Sequence, residues 1–126
     1  MKPAPIPTKE EIELIRDSVL LPIMLTIVEN NKKEIEWSTY SIKGLFVAAN
    51  EALMKLIHAD LVKVKNALRE RNIKVWEDDR PVDYAIHYRF NCRGYEDQFS
   101  IMRELVRAEV GIRLGKYVAQ LFKDKM

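Results

Sequence analysis

Residues 84–94 read YAIHYRFNCRG, and this stretch decides whether the chain is wholly helical or also contains a sheet. Side chains of a β-strand point alternately to its two faces. The even positions from 84 to 92 are apolar or aromatic, whereas the odd positions from 83 to 93 are mostly charged or polar. The alternation predicts a strand with one apolar face. His87 and Cys92 then lie on opposite faces and cannot form a catalytic pair, and Cys92 is expected to be a small core-facing thiol.

The segment RNIKVWE just before this strand predicts its hairpin partner. Ile73 and Val75 should share the apolar face of the hairpin, which is satisfied when Val75 lies opposite Tyr84. The loop would then consist of the four residues 78–81, a common hairpin length. A loop of five residues is the alternative, and it would turn Trp76 to the inner face.

The opposite face of this hairpin would be polar and partly basic. A lysine, two arginines, an asparagine and an aromatic side chain on one ribbon can contact phosphates and stack on bases. A solvated or helix-covered face and a protein-binding edge are the alternatives. The acidic residues Asp78, Asp79 and Asp83 near the loop would repel a phosphate backbone. The candidate nucleic-acid-binding residues are Lys74, Trp76, His87, Arg89, Asn91 and Arg93.

Two long antiparallel helices are predicted before the hairpin. Thr8 followed by Glu11 has the spacing of a capping box at the start of the first helix. Pro22 either kinks this helix, which then continues to about residue 35, or ends it before a first hairpin within residues 23–37. We predict the kinked helix. The second helix should span residues 42–71, and its segment LFVAA predicts that its first half is the more buried.

A third long helix is predicted for residues 95–124. Apolar and small residues recur there at alternating intervals of four and three residues, which is a heptad pattern. The pattern consists of Ile101, Leu105, Ala108, Ile112, Gly115, Ala119 and Phe122.

Small residues along the third helix predict an interface, whose candidate residues are Ala108, Gly111, Gly115 and Ala119. A glycine inside a helix costs about 1 kcal/mol relative to alanine. Two glycines in one helix therefore suggest a compensating close approach of another backbone. Either the first or second helix of the same chain fills this groove, or a second copy of the chain or a partner helix does.

Length and composition predict one domain over residues 8–126, preceded by the extended, proline-rich arm of residues 1–7. The net charge of +2 makes no general case for nucleic acid. A single cysteine and the absence of an apolar leader favour a cytoplasmic protein, and no apolar run is long enough to span a membrane. No phosphate-binding loop, HExxH or CxxC motif is present, so no metal and no cofactor are predicted.

These patterns predict a mostly α-helical α+β fold: two long helices, the first kinked at Pro22, a β-hairpin, and a third long helix that packs back as an elongated bundle. The predicted function is that of a small cytoplasmic, non-enzymatic binding protein, an adaptor or regulator that contacts another protein or a second copy of itself. Nucleic-acid binding through the outer face of the hairpin is the first alternative. An enzyme or a metal-binding protein is the second alternative.

Overall fold

A computed structural model describes residues 6–39, 41–78, 80 and 83–125 of the 126-residue chain. The mostly helical α+β class predicted above is confirmed, with 68% of the described residues in helices. Residues 1–5 of the predicted N-terminal arm lie outside the described residues. The elements in chain order are α1 (Lys9–Glu36), α2 (Lys43–Glu70), β1 (Ile73–Glu77), β2 (Ala85–Cys92), β3 (Tyr95–Met102) and α3 (Arg103–Lys125).

Helix α1 begins at the predicted capping box. The Thr8 side chain accepts a hydrogen bond from the backbone N–H of Glu11, and the Glu11 carboxylate accepts one from the backbone N–H of Thr8. Pro22 lies inside the helix, which continues to Glu36, so the alternative hairpin over residues 23–37 is wrong. A bend at Pro22 stays a prediction.

Helices α1 and α2 form an antiparallel pair. The start of α1 meets the end of α2 through Glu10 and Arg71, whose carboxylate oxygen and guanidinium nitrogen are 3.2 Å apart. At the opposite end, Lys32 pairs with Glu51, also at 3.2 Å. The two helices therefore run side by side along their length, as expected from the sequence.

The buried half of α2 is its second half, contrary to the prediction from LFVAA. Helix α2 contributes Ile57 and Leu61 to the core, whereas Leu45 and Phe46 near its start are exposed. Trp37 in the α1–α2 turn is exposed as well. These side chains leave one end of the helix pair apolar and open to solvent.

The sheet has the strand order β1-β2-β3, with both neighbouring pairs antiparallel. Val75 lies opposite Phe90, so the predicted register with Val75 opposite Tyr84 is wrong. The predicted parity is right, because Val75 still shares a face with apolar side chains of β2. The connection between the strands is longer than four residues, since β2 starts only at Ala85, whose N–H donates to Asp83 at 2.7 Å.

Residues 95–102 form strand β3, so their assignment to the third helix is wrong. Arg93 and Gly94 have positive φ values of 53° and 95°, which turn the chain back tightly after β2. Tyr88 and Phe99 then stack with their ring centroids 5.8 Å apart across the β2–β3 pair. This cross-strand contact stabilises a sheet where a continuous helix was expected.

One core joins both parts of the fold. It lies between the α1–α2 pair, the inner face of the sheet and the first half of α3. Its buried members are Ile15, Val19, Leu20, Leu21, Met24, Val28, Ile57, Leu61, Val64, Leu68, Ile73, Phe90, Cys92, Ile101, Val106 and Val110.

Candidate functional site

One side of α3 faces the rest of the chain. Val106 and Val110 are buried in the core, and Leu114 and Tyr117 pack against it. We call this row the inner side of α3. Its spacing is that of an ordinary amphipathic helix packed on a globular core.

An ion pair and a hydrogen bond connect α3 to the other two helices. Arg113 donates from Nη1 to Asp17 of α1 at 2.6 Å and from Nε to Glu109 at 3.3 Å. The Tyr117 hydroxyl donates to a carboxylate oxygen of Asp60 in α2 at 2.5 Å. Burial, followed by this hydrogen bond to an anion, raises the pKa of Tyr117 well above its ordinary value. The orientation of α3 is thus set from both neighbouring helices.

The opposite side of α3 carries a second apolar row. We define the outer stripe as Leu105, Ala108, Ile112, Gly115, Ala119 and Phe122. All six residues are exposed, and the three large side chains Leu105, Ile112 and Phe122 are exposed to 54%, 58% and 61%. With a rotation of about 100° per residue, the outer stripe and the inner side lie on opposite faces of the helix.

The two glycines of α3 face open space. A Cβ atom added to Gly111 or Gly115 would meet no heavy atom within 4 Å outside the helix's own neighbouring backbone. The predicted interface residues Ala108 and Ala119 are exposed too. The alternative in which α1 or α2 fills this groove is therefore wrong, and within the described chain the small residues have no helix against them.

The outer face of the sheet brings together five of the six predicted nucleic-acid-binding residues, all except Arg93. Lys74 pairs with Asn91, and Trp76 pairs with Arg89, across the β1–β2 ladder. Trp76 and Arg89 are exposed, and the Asn91 amide donates to Glu96 of β3 at 3.3 Å. A basic and aromatic patch exists here, bounded on the β3 side by a carboxylate.

Arg93 lies elsewhere, contrary to the prediction. Strand β2 ends at Cys92, and the left-handed φ of Arg93 directs its side chain towards α1 rather than to the outer face. Its guanidinium donates to both carboxylate oxygens of Glu11, each at 2.9 Å, and to the Arg71 carbonyl at 2.9 Å. These hydrogen bonds from Arg93 are the largest cause that lowers the pKa of Glu11 to about 2. Arg93 thus joins the sheet to the helices.

His87 lies on the outer face but is engaged within the chain. Its Nδ1 is 2.5 Å from the Ser100 hydroxyl, and its Nε2 is 3.1 Å from a carboxylate oxygen of Asp83. The hydrogen bonds from the Ala85 N–H and from His87 lower the pKa of Asp83. This cluster ties the end of the β1–β2 connection to β3. It was missed in the sequence because Ser100 had been placed in a helix.

Arg80 also brings the β1–β2 connection onto the sheet. Its Nη2 donates to the Gln98 side chain of β3 at 2.8 Å, and its Nε pairs with Asp78 at 3.0 Å. Part of the outer face is thereby occupied by the chain itself. Asp79, one of the acidic residues expected near the loop, lies outside the described residues.

Cys92 and the potential metal-ligand side chains are the remaining groups to consider. Cys92 is fully buried on the face opposite to His87, which confirms the expected core-facing thiol, and burial raises its pKa. Across the described residues, no three His, Cys, Asp or Glu side chains are grouped so that they could bind a metal ion. Within the same part of the chain, the helices fall short of the length and apolarity needed to cross a bilayer.

Comparison with known proteins places the chain in a family. The model of the family described as YhjD protein matches residues 6–122. The chain belongs to the YhjD family. The uncharacterized protein YhjD of Bacillus subtilis (strain 168) is 30% identical over 111 residues, which cover 87% of this chain and 92% of that relative. No solved structure matches the chain. The segment matched to the YhjD family ends at Phe122 and therefore contains the whole outer stripe.

Proposed function

We propose that this protein is a small cytoplasmic binding protein, an adaptor or regulator without catalytic activity, which docks another polypeptide on the outer stripe of α3. One observation carries the proposal: three large apolar side chains of the stripe are more than half exposed along one helix face. A row of exposed large apolar side chains along one helix face is typical of protein interaction sites.

The glycines of α3 support the same proposal. Each lowers the stability of an isolated helix by about 1 kcal/mol relative to alanine. Gly111 and Gly115 contact no other element of the described chain that would offset this cost. A helix docked on the outer stripe would approach closely at these positions and would bury Ile112 beside them. The residues that weaken the free helix are therefore the residues that a bound helix would use.

Differential capture tests the proposal. The tagged protein, a Leu105→Glu/Ile112→Glu double variant and a Val62→Glu control would be used to capture proteins from the native host. Val62 is an exposed apolar residue of α2 away from the stripe, so its replacement controls for the added charge. We expect specific proteins retained by the wild type and by the control to be lost with the double variant. Equal capture by all three proteins would contradict a docking function of the stripe.

Nucleic-acid binding through the outer face of the sheet is a second candidate. The observation that favours it is the register, which sets the exposed Trp76 beside Arg89 and Lys74 beside Asn91. Binding should weaken steeply with salt, because lysine and arginine release counterions from phosphates. Lys74→Glu with Arg89→Glu should abolish binding, whereas Lys63→Glu on α2 should not. Absence of binding to DNA and RNA at low salt would eliminate this candidate.

A further inference from the structure

We infer that the occupant of the outer stripe is the outer stripe of a second copy of this chain, with the two α3 helices antiparallel. In this pairing, Ile112 of one copy lies opposite Gly115 of the other, and the same contact occurs twice by symmetry. The inference rests on the proposed function and specifies its partner.

Side-chain sizes along the stripe favour this register. When Ile112 faces Gly115 of the partner copy, Ala108 faces Ala119 and Leu105 faces Phe122. The bulky isoleucine enters the space left by the glycine, and the two alanines let the backbones approach between them. The largest side chains then close the two ends of the contact. Knobs of one helix fit into holes of the other along the whole row.

A parallel pair of α3 helices in register would pack the residues of the outer stripe less well. Each residue would then face its own copy, so Gly115 would lie opposite Gly115. That layer would contain no side chain from either copy, whereas the antiparallel register fills it with Ile112. A void destabilises a packed interface. The arrangement of large and small residues therefore favours the antiparallel orientation.

Charges beside the stripe favour the same orientation. Glu109 and Lys116 lie on one flank, one heptad apart, and the antiparallel register brings Glu109 of each copy near Lys116 of the other. A parallel pair would instead bring Glu104 near Glu109 of the partner copy. Glu109 also contacts Arg113 and Arg16 within its own chain, and the exposed Lys116 would add a further donor.

The geometry of the fold permits the pairing. Because the inner side of α3 faces α1 and α2, the bodies of the two copies would lie on opposite sides of the helix pair. From Leu105 to Phe122 the stripe extends about 26 Å at about 1.5 Å per residue. An isologous contact of this kind closes after two copies, so it gives a dimer and not a filament.

Cysteine cross-linking tests orientation and register together. Ala108→Cys and Ala119→Cys variants would be oxidised separately, and also after mixing in denaturant and refolding together. In the antiparallel register, position 108 meets position 119 of the other copy, whereas two cysteines at equal positions lie about 16 Å apart along the axis. That separation exceeds the roughly 7 Å between Cα atoms that a disulfide can bridge. The buried Cys92 stays in all variants, and the wild type serves as the uncrosslinked control.

We expect wild type to sediment as a dimer and the mixture to cross-link several-fold more than either variant alone. Cross-linking of either variant alone to the same extent as the mixture would overturn the antiparallel register. A wild type that sediments as a monomer at every concentration would overturn self-pairing, while stripe-dependent capture of a different protein would still support the proposed function. A dimer that survives Leu105→Glu/Ile112→Glu would overturn the inference, and the capture experiment would then decide the proposed function separately.

Discussion

Both sides of α3 carry an apolar row, yet the chain packs one row against its core and exposes the other. Val110 on the inner side is buried beneath α1, α2 and the sheet, whereas Ile112, two residues later, is exposed. The rows differ in what surrounds them. Tyr117 of the inner side and the neighbouring Arg113 have specific polar partners on α2 and α1. The outer stripe combines large and small residues at heptad spacing, a spacing that is typical of helices that pair with another helix.

This contrast shows that apolar periodicity identifies the rows of a helix but not their partners. A heptad row indicates that some helix packs there, and the partner can belong to the same chain or to another. The position of α3 relative to α1 and α2 decides between the two. Changes on one side of α3 should therefore affect unfolding, and changes on the other side should affect association.

The largest expected change in the free energy of unfolding is that of Val110→Asp on the inner side, and Ile112→Asp on the outer stripe is its matched control. Val110→Asp buries a carboxylate in the core and should lower the free energy of unfolding by at least about 3 kcal/mol. Ile112→Asp adds the same charge to a solvent-exposed position and should change it by no more than about 0.5 kcal/mol. Urea unfolding followed by circular dichroism, at concentrations below association, measures both. Similar destabilisation by the two variants would abolish the distinction between the sides.

At the end of β2, Arg93 turns inward to Glu11, whereas Arg89 of β2 points to the outer face. The contact between Arg93 and Glu11 predicts that the stability of the fold depends on pH. The Glu11 pKa of about 2 in the folded chain lies below its ordinary value of 4.5. A lowered carboxyl pKa contributes stability that is present above about pH 4.5 and is lost as the pH falls towards about 2. Arg93→Met should lower stability at pH 7 and flatten this part of the pH profile. We expect a smaller effect than that of Val110→Asp.

Arg89→Met is the matched control, because Arg89 lies on the exposed outer face. It should leave both the stability at pH 7 and the acid profile close to those of the wild type. Unfolding curves measured between pH 7 and pH 3 compare the three proteins. If Arg93→Met kept the full acid dependence, another carboxyl group would have to be its source.

The smallest expected effect is that of Gly115→Ala, and its sign separates the free chain from the proposed dimer. Because an added Cβ meets nothing within 4 Å, alanine should stabilise the monomer by up to about 1 kcal/mol. The same methyl group would lie opposite Ile112 of a second copy and should weaken association. Gly44→Ala in α2, where a Cβ also meets nothing, is the control that should stabilise without affecting the dimer. Sedimentation at several concentrations, with unfolding of the same samples, measures both effects.

Sequence patterns predicted an element correctly where the pattern depends only on residues close together in the chain. The alternation in β2 and the capping box of Thr8 and Glu11 were both confirmed. Alternation fixes which residues share a face, but a shift by two residues preserves it, so it could not fix the register. The observed register brings the residue after β1 to His87, where the Asp78 N–H donates to the His87 carbonyl at 2.9 Å, and the local pattern does not contain this contact.

Strand β3 was missed because two patterns overlap there. Tyr95, Phe99 and Ile101 alternate at odd positions as a strand requires, but Asp97 interrupts the row. Ile101 also fits the heptad spacing that continues into Leu105, which favoured a helix. The turn at Arg93 and Gly94 was the signal that could have separated the two interpretations.

The sequence predicted which residues form the candidate site but not whether they are buried or exposed. Ala108, Gly111, Gly115 and Ala119 were identified from their size and spacing. Their exposure depends on contacts distant in sequence, such as that between Arg113 and Asp17. No local pattern in α3 contains that information.

The exposed end of the α1–α2 pair determines what the intrinsic fluorescence of this protein can report. Of the two tryptophans, Trp37 is 87% exposed in the turn and Trp76 is 43% exposed on the sheet. Trp37 is in contact with water in both the folded and the unfolded chain, so its emission wavelength should change little when the helices unfold. A blue shift of the Trp37 emission would instead require a new apolar contact. In a Trp76→Phe background, Trp37 is therefore a built-in optical probe for any partner that covers the turn.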